Sequence, residues 1–79
     1  MRRKIAKGIE VDSDIMLGKP IIEGTRIPVE MILEKLAQNI SADEILNDFP
    51  RLTRKNIQNA LEYAAKSIHG EEIHLVSKK

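Results

Sequence analysis

Apolar residues recur at helical spacing in the second half of the chain and predict three helices. The first is expected from about Pro28 to Gln38, since apolar side chains three and four positions apart fall on one helical face. Those side chains are Val29, Ile32, Leu33, Leu36 and Ile40. Pro28 suits the first position of a helix, where its missing N–H costs nothing. Asn39 is expected to end this helix in a left-handed conformation.

Capping residues add to the prediction of the second and third helices. Ser41 and Glu44 have the spacing of a capping box, which begins a short helix that Pro50 ends. Thr53 then caps the third helix, whose buried stripe is expected to comprise Ile57, Ala60, Leu61, Ala64 and Ile68. Gly70 is expected to end this helix, which leaves residues 71–79 as a tail.

Extended structure is predicted before the helices, between Gly18 and Val29. Glycine permits positive φ, and proline favours extended backbone in the residue before it. Two short strands, residues 21–22 and 25–27, are therefore expected to meet at a turn on Glu23-Gly24. This region is predicted to be a rigid scaffold that helps to build a dimer, through Gly18, Pro20, Ile21, Ile22, Gly24, Thr25, Arg26 and Ile27.

The expected fold is mainly α: one domain over residues 1–79, in which a short N-terminal β-hairpin or arm precedes a three-helix helix-turn-helix unit. Its parts are a basic arm at 1–8, a strand region at 9–27, a homeodomain-like or winged-helix-like helical region at 28–69 and a tail at 70–79. With 79 residues, no cysteine and 3% aromatic residues, the core is small, so a homodimer is expected. No apolar run is long enough to span a membrane, and we expect a cytoplasmic protein.

A DNA-binding surface is predicted where the third helix begins. The second helix of a helix-turn-helix pair enters the major groove by its N-terminal end. The contacts would come from Arg51, Thr53, Arg54, Lys55, Gln58 and Asn59. Gln58 and Asn59 could read adenine edges, and phosphates would offset the two cations that oppose the helix dipole. The alternative is a solvated helix face that happens to be basic.

Two other cationic features have competing interpretations. The arm that carries Arg3 and Lys4, flanked by Arg2 and Lys7, could enter a minor groove or could be a solvated terminus. Arg26 could clamp a phosphate or ligand; the alternative that we favour is packing, through strand carbonyls or a pair with Glu23.

Catalysis and cofactor binding find little support in the sequence. The serines lie in turns, caps or the tail, without an evident nucleophile–base arrangement. His69 and His74 are five positions apart and do not fall on one helical face, so no metal site is expected. We expect no cofactor and no enzymatic activity.

Four segments together resemble one small prokaryotic family, domain of unknown function family four hundred and thirty-three. They are Gly18-Lys19-Pro20, Gly24-Thr25-Arg26-Ile27-Pro28-Val29, Phe49-Pro50-Arg51-Leu52-Thr53 and Ala60-Leu61-Glu62-Tyr63-Ala64. The resemblance runs from about Ile9 to about Ala65. It implies a homeodomain-like helix-turn-helix and, for several members, an antitoxin of the VapB type encoded beside a toxin with a PIN-like RNase fold.

The function that this resemblance implies is a DNA-binding antitoxin that neutralises a PIN-like RNase toxin and represses its own operon. The toxin would be bound by the tail, through Glu71, Glu72, Ile73, Leu75 and Val76. The alternative for the tail is a frayed terminus. The alternative for the whole chain is a protein-interaction module that inhibits a partner without binding DNA.

Overall fold

The computed structural model describes the backbone of residues 1–76 and the side chains of residues 1–69. In chain order, the strands are β1 (Arg2–Ala6), β2 (Ile9–Asp12) and β3 (Ile21–Ile22), with a short 3-10 turn, Met16–Gly18, before β3. The helices are α1 (Val29–Ala37), α2 (Ala42–Asp48) and α3 (Arg54–Val76). The strands form one antiparallel sheet in the order β1-β2-β3.

The prediction of a mainly α fold is wrong, because the N-terminal third of the chain builds this sheet and the fold is α+β. Most of the predicted basic arm is β1, the exposed edge strand. Charged residues suit an edge strand because they discourage pairing with other chains. The sequence of β1 lacks the alternation of apolar and polar residues that predicts a strand, since almost every side chain in it is exposed and polar residues dominate.

Opposite charges face each other across the β1–β2 hairpin. Arg2 is opposite Asp12, and Lys4 is opposite Glu10. Opposite-charge cross-strand pairs stabilise a sheet modestly. The turn between the strands contains Gly8 at φ +72°, a conformation that glycine adopts without steric cost. This charge pattern around a glycine turn is the sequence signal that could have identified the hairpin.

The predicted turn on Glu23-Gly24 is confirmed. The Thr25 N–H donates to the Ile22 carbonyl at 3.0 Å, and Gly24 has φ +78°. The Ile22 N–H donates to the Ile27 carbonyl at 2.9 Å, which closes the turn. Residues 25–27 are nevertheless not a strand; only an isolated bridge joins Ile21 to Pro28, and β3 pairs instead with β2.

Isoleucine side chains from every layer make the core. Ile9, Ile22, Ile32 and Ile45 are fully buried and pack in one cluster with residues of α3. The remaining buried members of that cluster are Val29, Leu52, Ile57 and Ala60. The cluster joins the sheet to all three helices, so the start of α3 rests on residues spread over most of the chain.

The helix boundaries follow the predicted caps with two exceptions. Asn39 has φ +66°, and the Ser41–Glu44 capping box is present. Pro28, predicted as the first residue of α1, is instead its N-cap, with extended backbone before a helix that begins at Val29. Gly70 does not end α3, because the helix continues to Val76. Glycine inside a helix costs about 1 kcal/mol relative to alanine, which neighbouring helix-forming residues can offset. Among the described residues, no helix combines the length and apolar content required to cross a membrane.

Candidate nucleic-acid interface at the start of the third helix

The link between α2 and α3 is held to the core. Leu52, 5% exposed, anchors its far end, and its N–H donates to the Phe49 carbonyl at 2.9 Å. Pro50 and Arg51 face solvent between these two residues. The short connection therefore fixes the first turn of α3 relative to α2, as a helix-turn-helix motif requires.

A reciprocal cap begins α3. The Asn56 N–H donates to Thr53 Oγ1 at 3.1 Å, and the Thr53 N–H donates to Asn56 Oδ1 at 2.9 Å. This is the geometry of a capping box with asparagine in place of glutamate. The Thr53 hydroxyl is already engaged with its own helix, so its place among the predicted DNA contacts is weaker than that of its neighbours.

The cations around this turn have different environments. The Arg54 guanidinium pairs with the Asp43 carboxylate of α2, and both side chains are mostly exposed. Asp43 thus offsets one of the charges that oppose the dipole of α3, without a phosphate. Within the described part of the chain, Arg51 and Lys55 make no ion pair. Both are exposed.

The two predicted base-reading residues lie in different places. Gln58 is exposed, as predicted. Asn59 is only 6% exposed, so its prediction as a DNA contact is wrong. The β1–β2 hairpin covers that face of α3: a Cβ built on Gly8 would lie 2.3 Å from Asn59 Nδ2. Sequence reasoning missed this contact because it did not place a hairpin over the helix.

The N-terminal cations belong to β1 and do not form a free arm. Arg2 pairs with Glu10, and Lys4 Nζ lies 3.9 Å from a Glu23 carboxylate oxygen. Arg3 is exposed, opposite Val11 in the register. A minor-groove role for Arg3 and Lys4 as an arm is therefore corrected to an edge-strand position, from which only side chains could reach a ligand.

Glu10 is a structural residue that the sequence reasoning missed. Its side chain is 9% exposed, and its Oε1 accepts from the Arg2 guanidinium and from the Gly24 N–H at 3.1 Å. A buried carboxylate is costly unless such donors satisfy it. Asp12 lies on the same strand. The Asp14 backbone N–H and the amino terminus donate to its carboxylate and lower its pKa from the ordinary value.

The predicted scaffold of residues 18–27 divides into buried and exposed parts. Ile21 and Ile22 are fully buried in the chain's own core, so they cannot also contact a partner. The Thr25 hydroxyl, also buried, donates to the Ile22 carbonyl at 2.8 Å and accepts from the Ile27 N–H at 3.0 Å. These contacts support the scaffold role. Gly18, Pro20 and Gly24 lie wholly or partly at the surface.

Arg26 is exposed and makes neither of the packing contacts that we favoured. Among the described side chains it forms no ion pair with Glu23 and no hydrogen bond. Its role as a ligand clamp stays a prediction. Lys19, by contrast, pairs with Glu30 of α1 at 3.0 Å.

The tail predicted to bind a toxin is helical in its backbone up to Val76. The side chains of Glu71, Glu72, Ile73, Leu75 and Val76 lie outside the described residues, as does all of 77–79. Their contact with a toxin stays a prediction. In the described part of the chain, no group of three or more His, Cys, Asp or Glu side chains could hold a metal ion.

These features define a small α+β domain in which an exposed helix N-terminus follows a short, fixed turn. The family described as Protein of unknown function (DUF433) matches residues 9–64, so the chain belongs to that family. No curated protein and no solved structure matches it.

Proposed function

We propose that this protein is a DNA-binding antitoxin, a cytoplasmic homodimer that represses its own operon and neutralises a PIN-like RNase. The observation that carries the DNA-binding part is an exposed surface formed by the α2–α3 link and the first turns of α3. It presents Arg51 from the link and Lys55 and Gln58 from the helix, which Leu52 and the Thr53–Asn56 cap hold in place. Cations that make no ion pair within the described residues, together with an exposed amide on a fixed helix end, suit phosphate and base-edge contacts.

Electrostatics limit how this surface would work. The chain has a net charge of only +1, and Asp43 engages Arg54 beside the site. Affinity would therefore depend on a few local phosphate contacts, and the slope of log affinity against log salt would be correspondingly modest. A twofold dimer would double those contacts, with half-sites about 34 Å apart on the duplex.

Binding to duplex DNA from the upstream region of the gene tests this proposal. Replacing both Arg51 and Lys55 with alanine should weaken binding to every duplex and reduce the slope of log affinity against log salt by up to about two for each protomer that contacts the DNA. Lys66→Ala is the matched control, because Lys66 is an exposed cation farther along the same helix. Gln58→Ala should instead relax preference at one base position, by about 1–3 kcal/mol.

The DNA-binding proposal fails if the double variant and the Lys66→Ala control bind every duplex with the affinity and salt slope of the unaltered chain. Fluorescence anisotropy over a range of salt concentrations measures both quantities. A wild-type chain that binds no duplex at low salt would contradict it equally.

The antitoxin part of the proposal is supported by the family resemblance and by the apolar residues that extend α3 beyond the core. The second candidate function is an inhibitory interaction module without DNA binding. It is favoured by apolar side chains that the fold leaves exposed, above all Leu17 at 94%. An RNase that copurifies with a chain lacking DNA affinity would select the second candidate.

A further inference from the structure

The turn Met16–Gly18, here called the Leu17 turn, has an unusual backbone. Its three residues have φ values of +52°, +57° and +80° in succession. Side chains disfavour this left-handed region, and methionine and leucine rarely occupy it. Leu17 is also 94% exposed, so its side chain buries almost no apolar surface against the rest of its own chain. Strained backbone often occurs at binding sites, and here it holds an apolar side chain in solvent, which is typical of a surface that binds a partner.

A groove of about 280 Å³ runs between α1 and α3 beside this turn. Its apolar lining comprises Pro20, Val29, Leu33, Tyr63, Ala64 and Ile68. Leu33 and Tyr63 are only partly buried, and Ile68 is 55% exposed. Ile68 and Leu61, which is 46% exposed, were both expected in the buried stripe of α3, and that expectation is wrong for these two residues. Pro20, which lines the groove, lies three residues after Leu17, and Lys19 Nζ lies 3.0 Å from Oε1 of the groove residue Glu30, so the Leu17 turn lies next to the groove.

The Leu17 turn and the groove carry opposite charges beside them. Lys19 follows the Leu17 turn, and Glu30 is the one charged residue among those that line the groove in the described part of the chain. The two side chains pair within the chain at 3.0 Å, yet each remains 51% exposed. Each can therefore also meet an opposite charge on another molecule.

We infer that the Leu17 turn of one copy docks into the α1/α3 groove of a second copy, and the reverse, in a twofold dimer. An isologous interface needs a surface that complements itself. Here an exposed leucine adjoins an apolar groove, and the cation beside the leucine meets the anion of the groove. The inference specifies the surface of the homodimer within the proposed function, and it does not require DNA binding.

Leu17→Gly separates association from folding. Glycine removes the side chain and relieves the left-handed backbone, so the thermal midpoint of the dilute monomer should stay the same or rise. The dimer dissociation constant, measured by sedimentation over a wide concentration range without DNA, should rise at least tenfold. Leu61→Ala is the control, because Leu61 is 46% exposed on α3 and does not line the groove; its dissociation constant should not change.

Two charge-reversal variants test the geometry. Lys19→Glu and Glu30→Lys should each self-associate more weakly than the wild type, since like charges then meet across the interface. An equimolar mixture should restore the dimer, because the heterodimer has opposite charges at both contacts. Mixing cannot repair a pair that is broken only within each chain.

The inference is overturned if the wild type is monomeric at all concentrations, if Leu17→Gly dimerises as tightly as the wild type, or if the mixture associates no better than the separate variants. All three readouts omit DNA, whereas the Arg51 and Lys55 double variant is scored by DNA affinity. Failure of the docking surface is thus distinguishable from failure of the DNA-binding proposal.

Discussion

Gly8, in the turn between β1 and β2, packs against Asn59 of α3. Two separate effects require glycine at position 8: its φ of +72°, and the 2.3 Å approach that a Cβ would make to Asn59 Nδ2. Asn59 is 6% exposed and cannot easily move aside. Its Oδ1 is buried and accepts no hydrogen bond from the described residues. Asn59 therefore contributes packing against the hairpin, and no hydrogen bond to its Oδ1 among the described residues explains why an amide occupies this position.

Gly8→Ala should destabilise the fold more than Gly24→Ala. Gly24 has a similar φ of +78° but nothing within 4 Å of its added Cβ, so its substitution costs only the left-handed strain, about 1–2 kcal/mol. In an Asn59→Ala background the cost of Gly8→Ala should fall toward that of Gly24→Ala, because the contacts at 2.3 and 3.1 Å with Nδ2 and Cγ are removed and only the 3.3 Å contact with the Cβ of residue 59 remains. Urea unfolding of the four variants measures these differences. An unchanged cost of Gly8→Ala in both backgrounds would show that the contact is unimportant.

At the scale of elements, local signals predicted the helices and their caps, whereas long-range contacts decided the rest. The Ser41–Glu44 box, the Asn39 terminator and the Glu23-Gly24 turn each depend on residues within a few positions of one another. The formation of β1 depends on its pairing with β2. Its exposed, mostly cationic residues do not alternate with apolar ones, so its own sequence does not predict a strand. The burial of Asn59 depends in turn on that hairpin, which is why both predictions failed together.

Glu10 connects three elements, and its removal tests how the sheet is held. Glu10→Ala leaves the Gly24 N–H and the Arg2 guanidinium without their acceptor, so unfolding free energy should fall by about 2–3 kcal/mol. Glu10→Gln should cost less, because its amide oxygen can still accept from Gly24. Glu23→Ala is the control and should change stability by under about 1 kcal/mol, since its contact with Lys4 is exposed. Equal losses in Glu10→Ala and Glu23→Ala would contradict this role.

At the scale of the molecule, the proposed surfaces occupy separate parts of one small fold. DNA would meet the first turns of α3, and a second copy would meet the Leu17 turn and the groove beside the middle of that helix. The later part of α3 leaves the core, since residues 65–69 are all exposed. Most of the stability of a helix in a protein comes from its packing against the core, so a part of a helix beyond the core is only weakly stable by itself. Ile68 lines the groove proposed for the second copy, so a further partner would contact α3 beyond that residue.

A chain that ends at His69 tests whether that partner is the RNase. It retains every core residue, so the thermal midpoint and DNA affinity should match those of the full chain, and circular dichroism should lose only the helical signal of residues 70–76. It lacks the residues proposed to bind the RNase. The carboxylates would pair with the cations of an RNA-binding groove, and the apolar side chains would anchor the contact; these residues are Glu71, Glu72, Ile73, Leu75 and Val76. Inhibition of the copurifying RNase, measured as residual cleavage of an RNA substrate, should therefore be lost. Full inhibition by the shortened chain would place the RNase-binding surface elsewhere, with the N-terminal hairpin as the next region to substitute.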